Sequence, residues 1–139
     1  MHKLIILLLF ICLVIQAKAQ VVSNSTHQII FQLTDGDSLS HSKFIRQLHN
    51  ILEAAPNSKI EVVTQGMGVD LLRKTSNPFE EQLIGLKEHG IEFVICENTL
   101  KNRSLKKEQF LPLAGFVPSA ILELVIKQEK GWIYIKAGG

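Results

Sequence analysis

Short apolar runs alternate along the chain with longer stretches of helical periodicity. Residues 28–33 set Ile29, Ile30 and Phe31 between Gln28 and Gln32, add Leu33, and end at Thr34, Asp35, Gly36 and Asp37, a strand closed by turn residues. Phe44, Ile45, Leu48, Ile51 and Leu52 then recur at i, i+1, i+4, i+7 and i+8, one face of a helix. Ser38 or Ser40 is expected to cap it, because a serine oxygen accepts a first-turn N–H, and Pro56 and Asn57 break it. A second strand, 59–64, runs into Gly66, Met67, Gly68 and a short helical stretch through Leu72. Asn77, Pro78 and Glu80 follow the order of an N-cap, a first helical residue and a capping-box partner, and Lys87, His89 and Gly90 that of a helix end. The third strand, 91–95, ends at Cys96, and residues 101–109 form a loop or short helix. A fourth strand within 111–117, a helix over 118–130 and a last strand at 132–135 complete the pattern. Strands alternating with helices imply βαβ units, a mostly parallel sheet and right-handed crossovers.

The last helix departs from a simple stripe. Ala120, Ile121, Leu122, Leu124, Val125 and Ile126 spread around more of its circumference than one sheet contact covers. Contact with a second copy of the chain is expected there. Leu124 is the expected outward residue, since it lies off the stripe formed by Ile121, Leu122 and Val125.

The N-terminus follows a different logic. Met1, His2 and Lys3 precede an unbroken apolar run of 12 residues from Leu4 to Ile15, and Ala17, Lys18 and Ala19 form a small-x-small cleavage site. Residues 1–19 therefore read as a signal peptide, 20–26 as a short polar arm and 27–139 as the domain. The rival, a retained anchor, is disfavoured because the run is short for a membrane span. Export to the periplasm or beyond the cell is the expected localisation, with no membrane contact after cleavage. Without Lys3 and Lys18 the 15 basic residues fall to 13, equal to the 13 acidic ones. A neutral domain offers no electrostatic footprint for nucleic acid. Cys12 leaves with the signal, so Cys96 is the single cysteine of the exported chain, which excludes an internal disulfide or a multi-cysteine zinc site.

In an open parallel sheet, ligands sit beyond the carboxyl ends of the strands. Three loops should gather there: Asp35, Gly36 and Asp37; Gly66, Met67 and Gly68; and Cys96, Glu97, Asn98 and Thr99. Cys96 closes a strand, so its sulfur can face a crevice near the N–H groups of Asn98 and Thr99. Those donors, with Lys101 or Arg103, would favour the thiolate, against Glu97. The plainer reading is a buried structural cysteine. Asp35 and Asp37 could hold a divalent cation, but a turn with a helix cap is the better reading, and no metal is expected. The glycines at 66 and 68 fit a tight turn better than a dinucleotide site, and no cofactor is expected. His41 could serve Cys96 as a base, although no spacing supports a dyad. Asn24 and Asn102 begin glycosylation sequons, which matter only in a eukaryotic secretory pathway.

Phe93, Val94, Ile95, Cys96, Glu97, Asn98, Thr99 and Leu100 resemble the strand-end cysteine segment of DsrE/DsrF-like proteins. Residues 117–124, with Gln128 and 131–135, resemble that family's closing helix and strand, and 59–72 its second strand and following loop. The similarity covers about residues 27–136, and the order of the three segments carries it. The resemblance implies a three-layer α/β domain of flavodoxin-like βαβ architecture and assembly into a homotrimer or hexamer. In the family's sulfur-relay members a cysteine carries persulfide sulfur between proteins, and Cys96 matches that position. The expected function is thus sulfur handling by Cys96, with a sulfur-donor or sulfur-acceptor protein as partner. The alternative is a non-catalytic, oligomeric module that binds a small ligand while Cys96 packs.

Overall fold

The computed structural model describes residues 22–138. The expected signal peptide, 1–19, lies outside them, and among the described residues no helix is long and apolar enough to cross a membrane. Five parallel strands, β1 (Gln28–Leu33), β2 (Lys59–Thr64), β3 (Ile91–Cys96), β4 (Ala114–Val117) and β5 (Ile133–Ala137), form one sheet in the order β4-β3-β2-β1-β5. Helices α1 (Ser38–Ala54), α2 (Glu80–Glu88), α3 (Glu97–Asn102) and α4 (Ala120–Glu129) connect them, with 3-10 turns at Gly66–Leu72 and Lys107–Gln109.

The period of two along each strand sorts the side chains into two cores. On one face Phe31, Leu33, Val62, Phe93 and Ile95 pack with Phe44, Ile45 and Leu48 of α1, Leu83 and Leu86 of α2, and Leu100 of α3. On the other, Ile30, Val63 and Cys96 pack with Ala120 and Leu124 of α4. The steps β1 to β2 to β3 to β4 move across the sheet one way, with their helices on the first face. The return from β4 to β5 carries α4 across the second. The result is the expected three-layer α/β architecture.

The local signals are met with adjustments. Asp37, not Ser38 or Ser40, caps α1: its Oδ1 accepts the Ser40 N–H at 2.9 Å. The Ser40 side chain, and then this backbone bond, hold the Asp37 carboxyl below its usual range. The capping box at Asn77 does not form, and α2 starts at Glu80. The Asn77 amide donates instead to the carbonyls of Leu71 and Arg73, both at 2.8 Å, and its Oδ1 accepts from Phe79 N–H. Asn77 thereby closes the preceding loop, and the helix loses a turn. The segment after Cys96 is no open loop, because α3 begins at Glu97.

Leu124 was expected to face outward and faces the sheet, 6% exposed. The Ser119 hydroxyl accepts the Leu122 N–H at 3.4 Å and fixes where α4 begins. With that start, Ala120 and Leu124, one turn apart, point inward. Ile121, Leu122 and Val125 are left 57%, 54% and 43% exposed.

A charge also lies beneath α4. Glu61, on central strand β2, is 5% exposed; its Oε2 accepts from Lys127 Nζ, and its Oε1 has no partner among the described residues. Lys127 further lies 3.7 Å from Glu123 and 4.4 Å from the Trp132 ring centroid. Burial raises the Glu61 pKa above 4.5, and Lys127 only partly opposes it. The folded state therefore holds this proton more tightly than the unfolded chain. The stability from that preference is complete below pH 4.5 and is lost as pH rises through the folded value. Glu61→Gln should flatten this dependence. Denaturant unfolding across that window should show wild type losing stability relative to the variant as pH rises, and parallel curves would refute the assignment.

Candidate functional site

The order of the strands fixes the special place in this sheet. From β3 the chain turns to α3 on the first face, and from neighbouring β4 to α4 on the second. That divergence is a topological switch point, where an open α/β sheet leaves a crevice. Cys96 ends β3 and pairs in register with Val117, which ends β4.

Cys96 follows Val94 in the β3 alternation and shares its face with Ile30, Val63, Ala120 and Leu124. Its Sγ accepts the N–H of Ala120, the first residue of the ten-residue helix α4, at 3.3 Å. That N–H has no acceptor within its own helix, and it lies at the positive end of the helix dipole. Burial alone pushes the thiol pKa up. The N–H groups of Ala120, Thr99 and Asn98, with the Thr99 hydroxyl, more than reverse this, and the pKa falls below its ordinary value.

Neither expected cation is among the groups that chiefly lower the thiol pKa. Arg103 Nη2 donates to Asp70 at 3.0 and 3.1 Å, and its Nη1 to the Gly66 carbonyl at 2.9 Å. It therefore braces the 3-10 turn at Gly66–Leu72. Lys101 has its effect on Glu97, whose carboxyl is held low chiefly by its bond to Lys107. Alkylation of Cys96 by a small uncharged reagent should have a pH midpoint below the ~8.5 of an ordinary thiol. A midpoint above it would show that burial dominates.

The other predicted residues lie at the carboxyl end of the sheet, only partly joined to Cys96. Asp35, Gly36 and Met67 line a shallow groove with Thr34 and Asp37. Gly66, at φ +57°, donates its N–H to Thr99 Oγ1 at 3.0 Å, which ties the second segment to the third. Gly68 is explained by packing: a Cβ there would lie 2.2 Å from the Leu33 carbonyl oxygen. Asn98 and Thr99 sit in the first turn of α3, behind the cysteine. His41 serves elsewhere, since its Nε2 meets the Asp35 carbonyl and its ring packs edge-on against Phe79. Asp37 is engaged as a helix cap, so its pairing with Asp35 has a structural explanation. Sequence reasoning missed Ala120 as the donor to Cys96. Its signal was Pro118 and Ser119 ahead of an apolar run, which marks where α4 begins but not what its first N–H meets.

A model of the DsrE/DsrF-like family matches residues 27–137. Among solved structures, the chain is similar to MTH1491 of Methanobacterium thermoautotrophicum, a protein of unknown function, at 26% identity and a TM-score of 0.75, covering 79% of this chain and 98% of that one. The YchN protein of E. coli matches at 13% identity and a TM-score of 0.67, covering 80% of this chain and 99% of that one, a likeness of fold alone. No curated protein matches the chain.

Proposed function

The chain belongs to the DsrE/DsrF-like family, and from that premise we propose that it carries sulfane sulfur on Cys96 as an exported protein. The observation that carries the reading is the Ala120 N–H at 3.3 Å from Cys96 Sγ, at the head of α4. A donor aimed at the sulfur favours the thiolate, which is the attacking form. The thiolate attacks the outer sulfur of a small persulfide, R–S–SH. A Cys96–sulfur bond forms, the R–S bond breaks, and R–S⁻ leaves with that bond's electron pair. The outer sulfur keeps its hydrogen, giving a Cys96 persulfide. An acceptor thiolate then attacks the same outer sulfur and restores Cys96–S⁻. Each step exchanges one thiolate for another, with no net oxidant consumed.

Partners follow from the same reading. The donor or acceptor is another thiol-bearing molecule, and the chain assembles with copies of itself, as a trimer or hexamer, through the exposed face of α4. The 5% exposure of Cys96 favours a second reading, a small-ligand-binding module in which the cysteine only packs.

Transfer of sulfur from glutathione persulfide to cyanide separates the two. Thiocyanate formation should depend on the protein and fall at least about a hundredfold in Cys96→Ser, about 2.7 kcal/mol in barrier. Equal rates for wild type and variant would establish the packing role.

A further inference from the structure

The apolar residues of α4 do not by themselves choose the face it turns to the sheet. Residues one turn apart share a face, and α4 offers three such apolar pairs: Ala120 with Leu124, Ile121 with Val125, and Leu122 with Ile126. The pair that packs on the sheet, Ala120 and Leu124, has the least apolar surface of the three, and the larger Ile121, Leu122 and Val125 stay exposed. Burial of aliphatic surface alone would favour either other phase.

One turn further along, the three phases differ in charge. Lys127 continues the stripe of Ala120 and Leu124, whereas Gln128 and Glu129 continue the other two. Beneath that stripe lies Glu61 of β2, 5% exposed, whose Oε2 accepts from Lys127 Nζ. Either other phase would bring a neutral amide or a second carboxylate to this buried charge. The Lys127 side chain, 19% exposed, also lies over the Trp132 ring, and its carbonyl accepts the Trp132 N–H at 3.0 Å. Glu61 Oε1 is buried with no partner among the described residues. A half-paired buried carboxylate costs stability, so stability does not account for it. Such a pair can instead specify a register. At the head of the helix the Ser119 cap that starts this phase is exposed and long, at 3.4 Å, and the Ala120 N–H reaches Cys96 Sγ at 3.3 Å.

We infer that Glu61 is a positioning residue for Cys96: its ion pair with Lys127 holds the phase in which α4 lies on the sheet, and so keeps the Ala120 N–H on the sulfur. The pair and the sulfur contact pin opposite ends of one short helix. The same phase decides which aliphatic residues α4 presents outward. This role rests on the thiolate reading of Cys96 given above. Thiol ionisation is read without a sulfur donor, so sulfur transfer can fail while the positioning stands.

Rates of alkylation by a small uncharged reagent, measured against pH on the exported protein and on Glu61→Gln, test the role. Glutamine leaves an oxygen for Lys127 but removes the charge that selects it. The thiol midpoint should rise by about one pH unit, a tenfold loss of thiolate at neutral pH. Loss of a negative charge acting only through space would lower the midpoint, so the sign separates the two effects. In wild type the Ala120 amide resonance should shift with the same midpoint as the Glu61 carboxyl carbon, a readout that stands even if the variant does not fold. The charged groups around that carboxyl are Lys127 and Glu123 of α4 and, in register on β3, Glu92, which Lys87 engages; β1 places Ile30 beside it. An unchanged or lowered midpoint in a folded Glu61→Gln, or an Ala120 amide that stays fixed while Glu61 titrates, would each overturn the proposal.

Discussion

Leu122→Glu is expected to turn an oligomer at micromolar concentration into a monomer while leaving the fold intact. Leu122 is 54% exposed, between Ile121 and Val125, which are also open to solvent. In the isolated chain a glutamate there stays hydrated, so secondary structure and melting temperature should barely change. At a subunit contact the same carboxylate must lose its water without a partner, at a cost of several kcal/mol. The native leucine gains instead, because full burial of such a side chain is worth about 1.5–3 kcal/mol and roughly half of that remains to be realised. These effects have the same sign and recur at each interface of a closed ring. Association should weaken by at least about a hundredfold. Sedimentation velocity on both proteins is the check. A monomeric wild type, or an oligomer that tolerates the glutamate, would show that α4 is not the contact.

The choice of Leu122 over Leu124 shows where sequence reading stopped. Periodicity found α4 and its excess of apolar positions, but six apolar residues in seven positions do not declare a phase. The Ser119 cap sets that phase, and it places Leu124 against the sheet. The strands were legible because Ile, Val and Phe runs end at turn residues, and the parallel order followed from the helices between them. Asn77 misled for a related reason. Its side chain finds two carbonyls upstream of the helix, and a capping-box pattern in sequence cannot register that competition.

The site was legible to the same depth. The end of a parallel strand marked Cys96, and nearness along the chain suggested Asn98 and Thr99. Ala120 lies 24 residues away and meets the sulfur only because β4 pairs in register with β3. Lys101 and Arg103 looked like cations for the thiolate because they are close in sequence. Asp70, brought near by the turn at Gly66–Leu72, engages Arg103 instead. Glu61 gave no signal beyond one charge in an apolar strand, since its partner Lys127 lies 66 residues on.

Cys96→Ser is expected to remove sulfur acquisition entirely while leaving the fold in place. The hydroxyl is smaller but can still accept the Ala120 N–H, so the variant keeps the bond that orders the start of α4. What it loses is a group that ionises in the working range. The depressed thiol pKa also predicts a stability difference with a definite sign. The thiolate's contribution is complete above the ordinary thiol pKa and is lost as pH falls through the lower folded value. Wild type should therefore gain stability on Cys96→Ser as pH rises through that window. The most direct measurement is the intact mass of both proteins after treatment with a small persulfide and removal of the excess. One added sulfur on wild type, released by a thiol and absent from Cys96→Ser, is the expected result. An unmodified wild type, or a sulfur that persists in the variant, would contradict the assignment of Cys96 as the carrier.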